Sequence, residues 1–187
     1  AVKRDVDGMF LNSGQSCNAP SRMFIPAALQ EEAIAIAKQA AQETTVGDPQ
    51  MQDSKIGPVV SKVQFDKIQG LIQKGIDEGA RLVCGGTGRP EGLEKGYYVK
   101  PTVFADVKND MTIAREEIFG PVLCMLPYDS DEEVIEMAND TEYGLSGYVS
   151  GTDSERVQKV ASQIRAGNVH VNGAGLDFTA PFGGYKQ

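Results

Sequence analysis

The 187-residue sequence has no tryptophan, one histidine and three cysteines. Cys17, Cys84 and Cys124 are too few and too scattered for a disulfide framework, which fits a reducing compartment, so we expect a cytoplasmic protein. Neither these cysteines nor His170 shows the Cys-x-x-Cys or His-x-x-x-His spacing of metal ligands. We therefore expect no metal site.

Long apolar runs and clusters of positive charge are also missing. No apolar run is long enough to cross a bilayer, and the start of the chain is charged without an apolar block. We predict neither a membrane span nor a signal peptide, and no membrane partner. The formal net charge of −8, without a run of Lys and Arg, argues against a nucleic-acid partner.

What is present is typical of a globular α/β domain. Apolar residues make up 41% of the sequence and charged residues 24%. Helical and strand-like segments alternate, which predicts a largely parallel open sheet flanked by helices. No repeat or linker divides the chain, so we predict one domain over residues 1–187. Because the sequence opens on Ala without Met, we expect a fragment of a longer chain.

Capping residues and hydrophobic spacing predict the individual elements. Ser61 is a candidate N-cap for one helix, and Ser130 opens a capping signature for another that runs through Met137. The other two predicted helices cover residues 28–41 and 153–164. Strands are predicted over residues 81–84, 97–104, 121–126, 144–149 and 168–172. The near-continuous apolar run at 121–126 is typical of a buried strand.

Cys17 stands in an unusual setting for a cysteine. It is surrounded by small and polar residues, with Gly14 before it and Pro20 after it. A cysteine used for packing usually lies among Leu, Ile or Val, whereas a turn can expose and activate a thiol. The glycine allows close approach of a substrate and leaves backbone N–H groups free to donate to an oxyanion. An inert thiol on a turn fits the local sequence equally well.

Two other segments have residue patterns suited to a site. Glu116 and Glu117 precede the apolar run, which places a carboxylate at the end of a sheet where α/β proteins tend to bind ligands. Solvated loop acids are the alternative. In residues 180–186, two glycines between two aromatics let the backbone bend and aim a ring into a pocket. A surface turn or a disordered tail is the alternative there.

Together these segments carry a family resemblance. Phe-Leu-Asn-Ser-Gly-Gln-Ser-Cys at 10–17, Glu-Glu-Ile-Phe-Gly-Pro-Val at 116–122 and Pro-Phe-Gly-Gly-Tyr-Lys at 181–186 follow the order and approximate spacing of the NAD(P)-dependent aldehyde dehydrogenase superfamily. The chain resembles the catalytic domain of that family over nearly its whole length. The resemblance implies an oxidoreductase that converts an aldehyde to a carboxylic acid with NAD or NADP, and a homo-oligomer (dimer or tetramer) in full-length form.

The resemblance also implies roles for individual residues. Cys17 would be the catalytic nucleophile, whose thiolate attacks the aldehyde to give a thiohemiacetal. Hydride then leaves for the nicotinamide, and the resulting thioester is hydrolysed. The cofactor-binding residues would be Glu117 on the nicotinamide ribose hydroxyls, Phe119 near the nicotinamide, and Lys67 on the ribose side. The residues lining the substrate tunnel would be Phe182, Asn18 and Phe178.

Parts of the family pattern have no counterpart in this sequence. No Gly-x-Gly-x-x-Gly fingerprint follows a strand, and the oxyanion-hole asparagine and the glutamate base of a Glu-Leu-Gly-Gly segment are missing. In the family these belong to a region that precedes the cysteine. We therefore expect the isolated 187 residues to have negligible dehydrogenase turnover. Phosphorylating and CoA-acylating relatives share the cysteine but use another acyl acceptor.

Two other functional classes remain open. A cysteine hydrolase would need His170 as its base, with Asn172 as an orienting residue. His170 alternates with valines in a predicted strand, however, which favours a structural histidine. The second class is an inactive scaffold or interaction module of the same fold. Since Cys17 and Glu117 are both intact, the sequence favours an active ancestor over a scaffold.

Overall fold

The computed structural model describes residues 1–175, 177 and 179–186, and these form two compact units. One unit is Val2–Pro127, and the other is Tyr128–Gln187 together with Ala1. The single domain over 1–187 stays a prediction. The α-helices of the described residues are α1 (Val2–Phe10), α2 (Gln30–Gln42), α3 (Lys62–Asp77), α4 (Thr112–Arg115), α5 (Asp131–Asn139) and α6 (Ser154–Ala161). The strands are β1 (Arg22–Pro26), β2 (Arg81–Cys84), β3 (Thr102–Ala105), β4 (Val122–Tyr128), β5 (Ser146–Val149) and β6 (Asn168–Val171).

The first unit is built on a four-stranded sheet in the order β1-β4-β3-β2. β3 and β4 are parallel, with Thr102 opposite Val122, whereas β2 pairs with β3 in the antiparallel sense. An antiparallel edge strand is a common addition to a parallel sheet. β5 and β6 of the second unit are also parallel. The predicted α/β class, with a mostly parallel sheet flanked by helices, is confirmed.

The core of the first unit lies between this sheet and helices α1 and α2. The first five residues of β4 are all buried, which confirms the buried strand predicted from the apolar run at 121–126. Phe10, Ala37 and Met125 are each 2% exposed or less and belong to one apolar cluster. Burial of apolar surface is the main favourable term in folding. The helix that leads into the Cys17 segment is therefore anchored in the core.

The strand predicted over residues 97–104 is wrong in its first half. Only Thr102–Ala105 is a strand, because Pro101 has no N–H with which to continue a ladder. The carbonyl of Tyr97 instead accepts a hydrogen bond from the backbone N–H of Val59 at 2.9 Å. This contact joins the stretch before β3 to the loop that precedes α3.

Both serine N-caps are confirmed. The Ser61 hydroxyl accepts a hydrogen bond from the backbone N–H of Gln64 at 3.2 Å, and α3 begins at the next residue. The Ser130 hydroxyl accepts from the N–H of Glu133 at 3.1 Å at the start of α5. Each cap satisfies an N–H group that has no partner within its helix. Ser61 thereby fixes the first turn of a helix that borders the candidate site.

The second unit is a small α/β element of its own. Helix α6 contacts both strands of the β5–β6 sheet, and Asp153 caps its N-terminus by accepting from two backbone N–H groups. The observed helix ends at Ala161, three residues before the predicted end at Ile164. In the residues that the structure describes, across both units, no helix has the length and apolar character needed to cross a membrane.

Candidate active site

Cys17 is exposed on a turn in the first unit. The backbone N–H of Ala19 donates to the carbonyl of Ser16 at 3.0 Å and closes this turn. Within the described part of the chain, no acceptor bonds to the Cys17 N–H. An exposed thiol beside an unengaged N–H group suits a nucleophile that attacks a carbonyl, since the N–H can donate to the oxyanion that forms.

The residues before this turn are held in an unusual backbone conformation. Asn12, Ser13 and Gly14 have φ angles of 54°, 57° and 69°, three successive residues in the left-handed region. Such residues cost on the order of 1–3 kcal/mol each when they are not glycine, and persist only where their surroundings fix them. The buried Ser13 hydroxyl donates to the carbonyl of Gly57 at 2.8 Å. The Gln15 side chain accepts from the backbone N–H of Val60, in the loop before α3, also at 2.8 Å.

Gly14 connects the Cys17 turn to the Glu117 segment. A Cβ atom on Gly14 would collide with the carbonyl oxygen of Gly120, so the two backbones are in direct contact. Both glycines are buried. The sequence assigned Gly14 to substrate approach; in the structure the missing side chain instead makes room for the neighbouring backbone. The structure thus brings together two segments that are a hundred residues apart.

Glu117 and Phe119 lie between α4 and β4, in a segment whose backbone carbonyls bond to side chains of α3. The Glu117 side chain is exposed and Phe119 is half-buried, with a left-handed φ of 54°. The ammonium of Lys67 donates to the carbonyl of Glu117 at 2.6 Å. The Gln64 amide donates to the carbonyls of Ile118 and Phe119 at 3.0 and 2.8 Å. Lys67 is therefore adjacent to Glu117 and contacts its backbone, and the ribose-side role of Lys67 stays a prediction.

Sequence reasoning missed Gln64 altogether. It lies in Gln64-Phe65-Asp66-Lys67, from which only Lys67 was selected. Its signal was its place three residues after the N-cap Ser61 and one helical turn before Ile68. That position puts a polar side chain on the same helix face as Lys67 and a core residue.

The other two thiols are in different environments from Cys17. Cys124 is buried in β4, its thiol donates to the carbonyl of Ile113 at 3.4 Å, and loss of hydration raises its pKa to about 12. Cys84 is half-buried, and burial is also the main cause that raises its pKa. The thiolate is the reactive form, so burial disfavours both as nucleophiles. Of the three cysteines, Cys17 is the exposed one.

The third sequence motif lies in the second unit and is anchored there. The N–H of Tyr185 donates to the carbonyl of Gly144 at 2.8 Å, and the Lys186 ammonium donates to the carbonyls of Asn139 and Thr141 at 2.7 and 2.9 Å. These contacts fix the end of the motif, which argues against a disordered tail. The Phe182 side chain is 61% exposed.

The substrate-lining assignments are not decided by these positions. Asn18 lies on the Cys17 turn and is half-buried. Phe182 belongs to the second unit. Phe178 lies outside the described residues. Their roles beside a substrate stay predictions.

His170 has the surroundings of a structural residue. It is 8% exposed and stacks on Tyr148 with ring centroids 5.0 Å apart. Its Nδ1 is 3.1 Å from the carbonyl oxygen of Ala174, which makes Nδ1 the protonated nitrogen. The geometry supports the structural role over that of a hydrolase base. In the ranges that the structure describes, no three His, Cys, Asp or Glu residues form a group that could hold a metal ion.

Known proteins agree with these motifs. The model of the aldehyde dehydrogenase family matches residues 1–187. The chain belongs to the aldehyde dehydrogenase family. The 3-succinoylsemialdehyde-pyridine dehydrogenase of a Pseudomonas species is 57% identical to it over 187 residues, which are 100% of this chain and 39% of that protein. The resemblance seen in the sequence is confirmed, and the chain spans about two fifths of the length of this aldehyde dehydrogenase.

Solved aldehyde dehydrogenase structures share the fold. A mutant of aldehyde dehydrogenase C from Pseudomonas syringae, in complex with NAD+ and octanal, has a TM-score of 0.97 at 50% identity, over 100% of this chain and 38% of its own. A Mycobacterium tuberculosis aldehyde dehydrogenase in complex with NAD+ has a TM-score of 0.96 at 47% identity, over 100% of this chain and 38% of its own.

Proposed function

We propose that this chain is the cysteine-bearing catalytic part of an enzyme that oxidises an aldehyde to a carboxylic acid, with Cys17 as nucleophile and NAD as hydride acceptor. One observation carries the proposal. The exposed Cys17 turn is packed, through Gly14, against the segment that presents Glu117 and Phe119. A nucleophile and a pair of residues suited to a dinucleotide are thus held on adjoining backbone.

The chemistry requires a thiolate, an oxyanion donor and an acceptor for two electrons. The Cys17 thiolate forms a C–S bond to the carbonyl carbon while the π electrons move to oxygen, where the Cys17 N–H can donate a hydrogen bond. NAD, when bound, would supply a hydride acceptor: the adduct carbon loses its hydrogen as hydride, the C=O bond re-forms, and a thioester results. Water then adds to the acyl carbon, the acid leaves, and the Cys17 thiol is restored.

The residues present fit such a cofactor. The exposed Glu117 carboxylate offers two acceptor oxygens for a ribose diol, and the half-buried Phe119 ring offers an apolar face for a flat heterocycle. The NAD+ complexes of the P. syringae and M. tuberculosis relatives support this choice. The P. syringae complex with octanal is of a variant in which a cysteine is replaced by alanine, which supports a reactive cysteine in the family.

The isolated 187 residues would lack turnover under this proposal. The chain corresponds to 39% of its Pseudomonas relative, and it has no Gly-x-Gly-x-x-Gly segment to hold a pyrophosphate. The base that activates water must also come from elsewhere. We place the complete enzyme in the cytoplasm as a homo-oligomer, on the grounds of cysteine usage and family resemblance.

The test is NADH formation by the full-length protein that carries these residues, supplied with a panel of aldehydes. Replacing Cys17→Ser is expected to lower kcat by at least about 10³-fold, as loss of a covalent nucleophile does. Cys84→Ser is the matched control and is expected to stay within about twofold, since Cys84 lies on β2, at the edge of the sheet opposite to β1. Undiminished acid production by the Cys17→Ser variant would refute the proposal.

A further inference from the structure

Three successive carbonyl oxygens are captured by one helix. Residues 117–120 form a short segment, here called the clamped segment. Lys67 bonds the first carbonyl, at Glu117, and Gln64 bonds the next two, at Ile118 and Phe119. The Gln64 bonds are partly shielded from solvent, whereas that of Lys67 is exposed. Gln64 therefore holds two of the three carbonyls, through bonds for which water competes less.

The clamp explains a backbone conformation that is otherwise unfavourable. Phe119 has a φ of 54°, in a region that bulky residues rarely adopt. Such a conformation persists only where contacts over-determine it. The Gln64 amide has a single NH2 group, and here it donates to the carbonyls on both sides of the Phe119 Cα. Both peptide planes that flank Phe119 are thus held by one side chain.

The same helix also sets the distance to the Cys17 turn. A Cβ on Gly120 would collide with the side chain of Ile68, which lies on the same face of α3 as Gln64. Gly120 in turn contacts Gly14. Helix α3 therefore supports the end of the clamped segment that meets the backbone before Cys17.

We infer that Gln64 is a positioning residue, with Lys67 as its auxiliary, which holds the clamped segment in the bent form that presents Glu117 and Phe119 toward the cofactor. The expected change in KM for NAD rests on the proposed function, whereas the expected loss of order in the clamped segment does not. Gln64 would act through the Glu117–Phe119 backbone and without contact to the reacting atoms.

The test uses Gln64→Leu and Gln64→Glu in the full-length protein. Leu keeps the bulk of the side chain but donates no hydrogen bond, and Glu places oxygens against two carbonyls. We expect KM for NAD to rise about tenfold, equivalent to about 1.4 kcal/mol, while KM for the aldehyde stays unchanged. Hydrogen exchange in a peptide over residues 116–121 is expected to accelerate about tenfold.

Matched controls separate the clamp from general damage. Gln73→Glu makes the same chemical change on an exposed position of α3, where it breaks a 2.8 Å hydrogen bond to Asp77 instead of the clamp, and should leave both measurements unchanged. Lys67→Met should accelerate exchange over residues 116–121. Lys67→Arg should exchange at the wild-type rate because it keeps a cationic donor.

The outcomes distinguish this inference from the proposed function. If the Gln64 variants match Gln73→Glu in both exchange and KM for NAD, the positioning role is refuted. If the wild-type protein reduces no NAD with any aldehyde, the proposed function fails. In that case the exchange rates still decide the clamp, since they require no activity.

Discussion

Gly14 lies directly against the carbonyl of Gly120, with no room for a side chain on Gly14 at the contact. This contact joins the segment before Cys17 to the segment that carries Glu117. Gly14 cannot be replaced by a larger residue unless one backbone moves, whereas a Cβ on Gly120 would meet the side chain of Ile68. The relative placement of the Cys17 segment and the Glu117 segment therefore depends on the absence of a side chain at Gly14.

Gly14→Ala is expected to destabilise the protein by about 2–3 kcal/mol, because the methyl group meets a carbonyl oxygen and Gly14 has a φ of 69°. The measurement is urea denaturation. Gly70→Ala is the control: Gly70 is exposed within α3 with open space around it, so alanine should stabilise by up to about 1 kcal/mol. Equal effects of the two substitutions would contradict the contact.

The three thiols should react with an alkylating reagent in a fixed order. Cys17 is exposed and should be modified first, Cys84 more slowly, and Cys124 only when the protein unfolds. Burial raises the pKa of the latter two and so lowers their thiolate fraction. Mass spectrometry of peptides after timed quenching gives the order directly. Early modification of Cys124 would show that the β4 core is open. An unreactive Cys17 would favour the inactive-scaffold alternative.

Local sequence signals predicted the local structure well. The serine caps at Ser61 and Ser130 and the buried strand at 122–126 depend on residues within one turn or one strand of each other. Such patterns are visible without knowing the fold. The predicted strand at 97–104 failed in its first half because Pro101 has no N–H to continue a ladder, and the carbonyl of Tyr97 accepts from Val59, a partner that is distant in sequence.

The candidate site was predictable in its chemistry and not in its construction. Cys17 and Glu117 were selected from motifs whose residue types suit a nucleophile and a diol acceptor. The Gly14–Gly120 contact and the Gln64 clamp are pairings across 50 to 100 residues, and no local pattern encodes them. A glutamine on a helix is most often solvated, so its role appeared only when its acceptors were located.

Ser61→Ala should couple a modest loss of stability to a loss of order at the site. Removing the N-cap costs about 1 kcal/mol and frays the first turn of α3, which contains Gln64. We expect faster hydrogen exchange in a peptide over residues 116–121. Ser130→Ala removes the equivalent cap of α5 and should lose similar stability without that acceleration. The same exchange rate over 116–121 in both variants would show that the α3 cap does not support this segment.

Stability should fall at alkaline pH because of Cys124. Burial raises the pKa of this thiol from its ordinary 9.0 to about 12. The thiol therefore loses its proton at a lower pH in the unfolded chain than in the folded one, and rising pH stabilises the unfolded state. Below pH 9 this thiol is protonated in both states and does not change the free energy of unfolding. Between pH 9 and about 12 the free energy of unfolding falls by up to about 1.4 kcal/mol per pH unit. Urea denaturation between pH 8 and about pH 11 should show a shallower decline for Cys124→Ala than for the wild type. Val122→Ala, a buried change on the same strand without a titrating group, should lower stability equally at every pH and keep the wild-type slope.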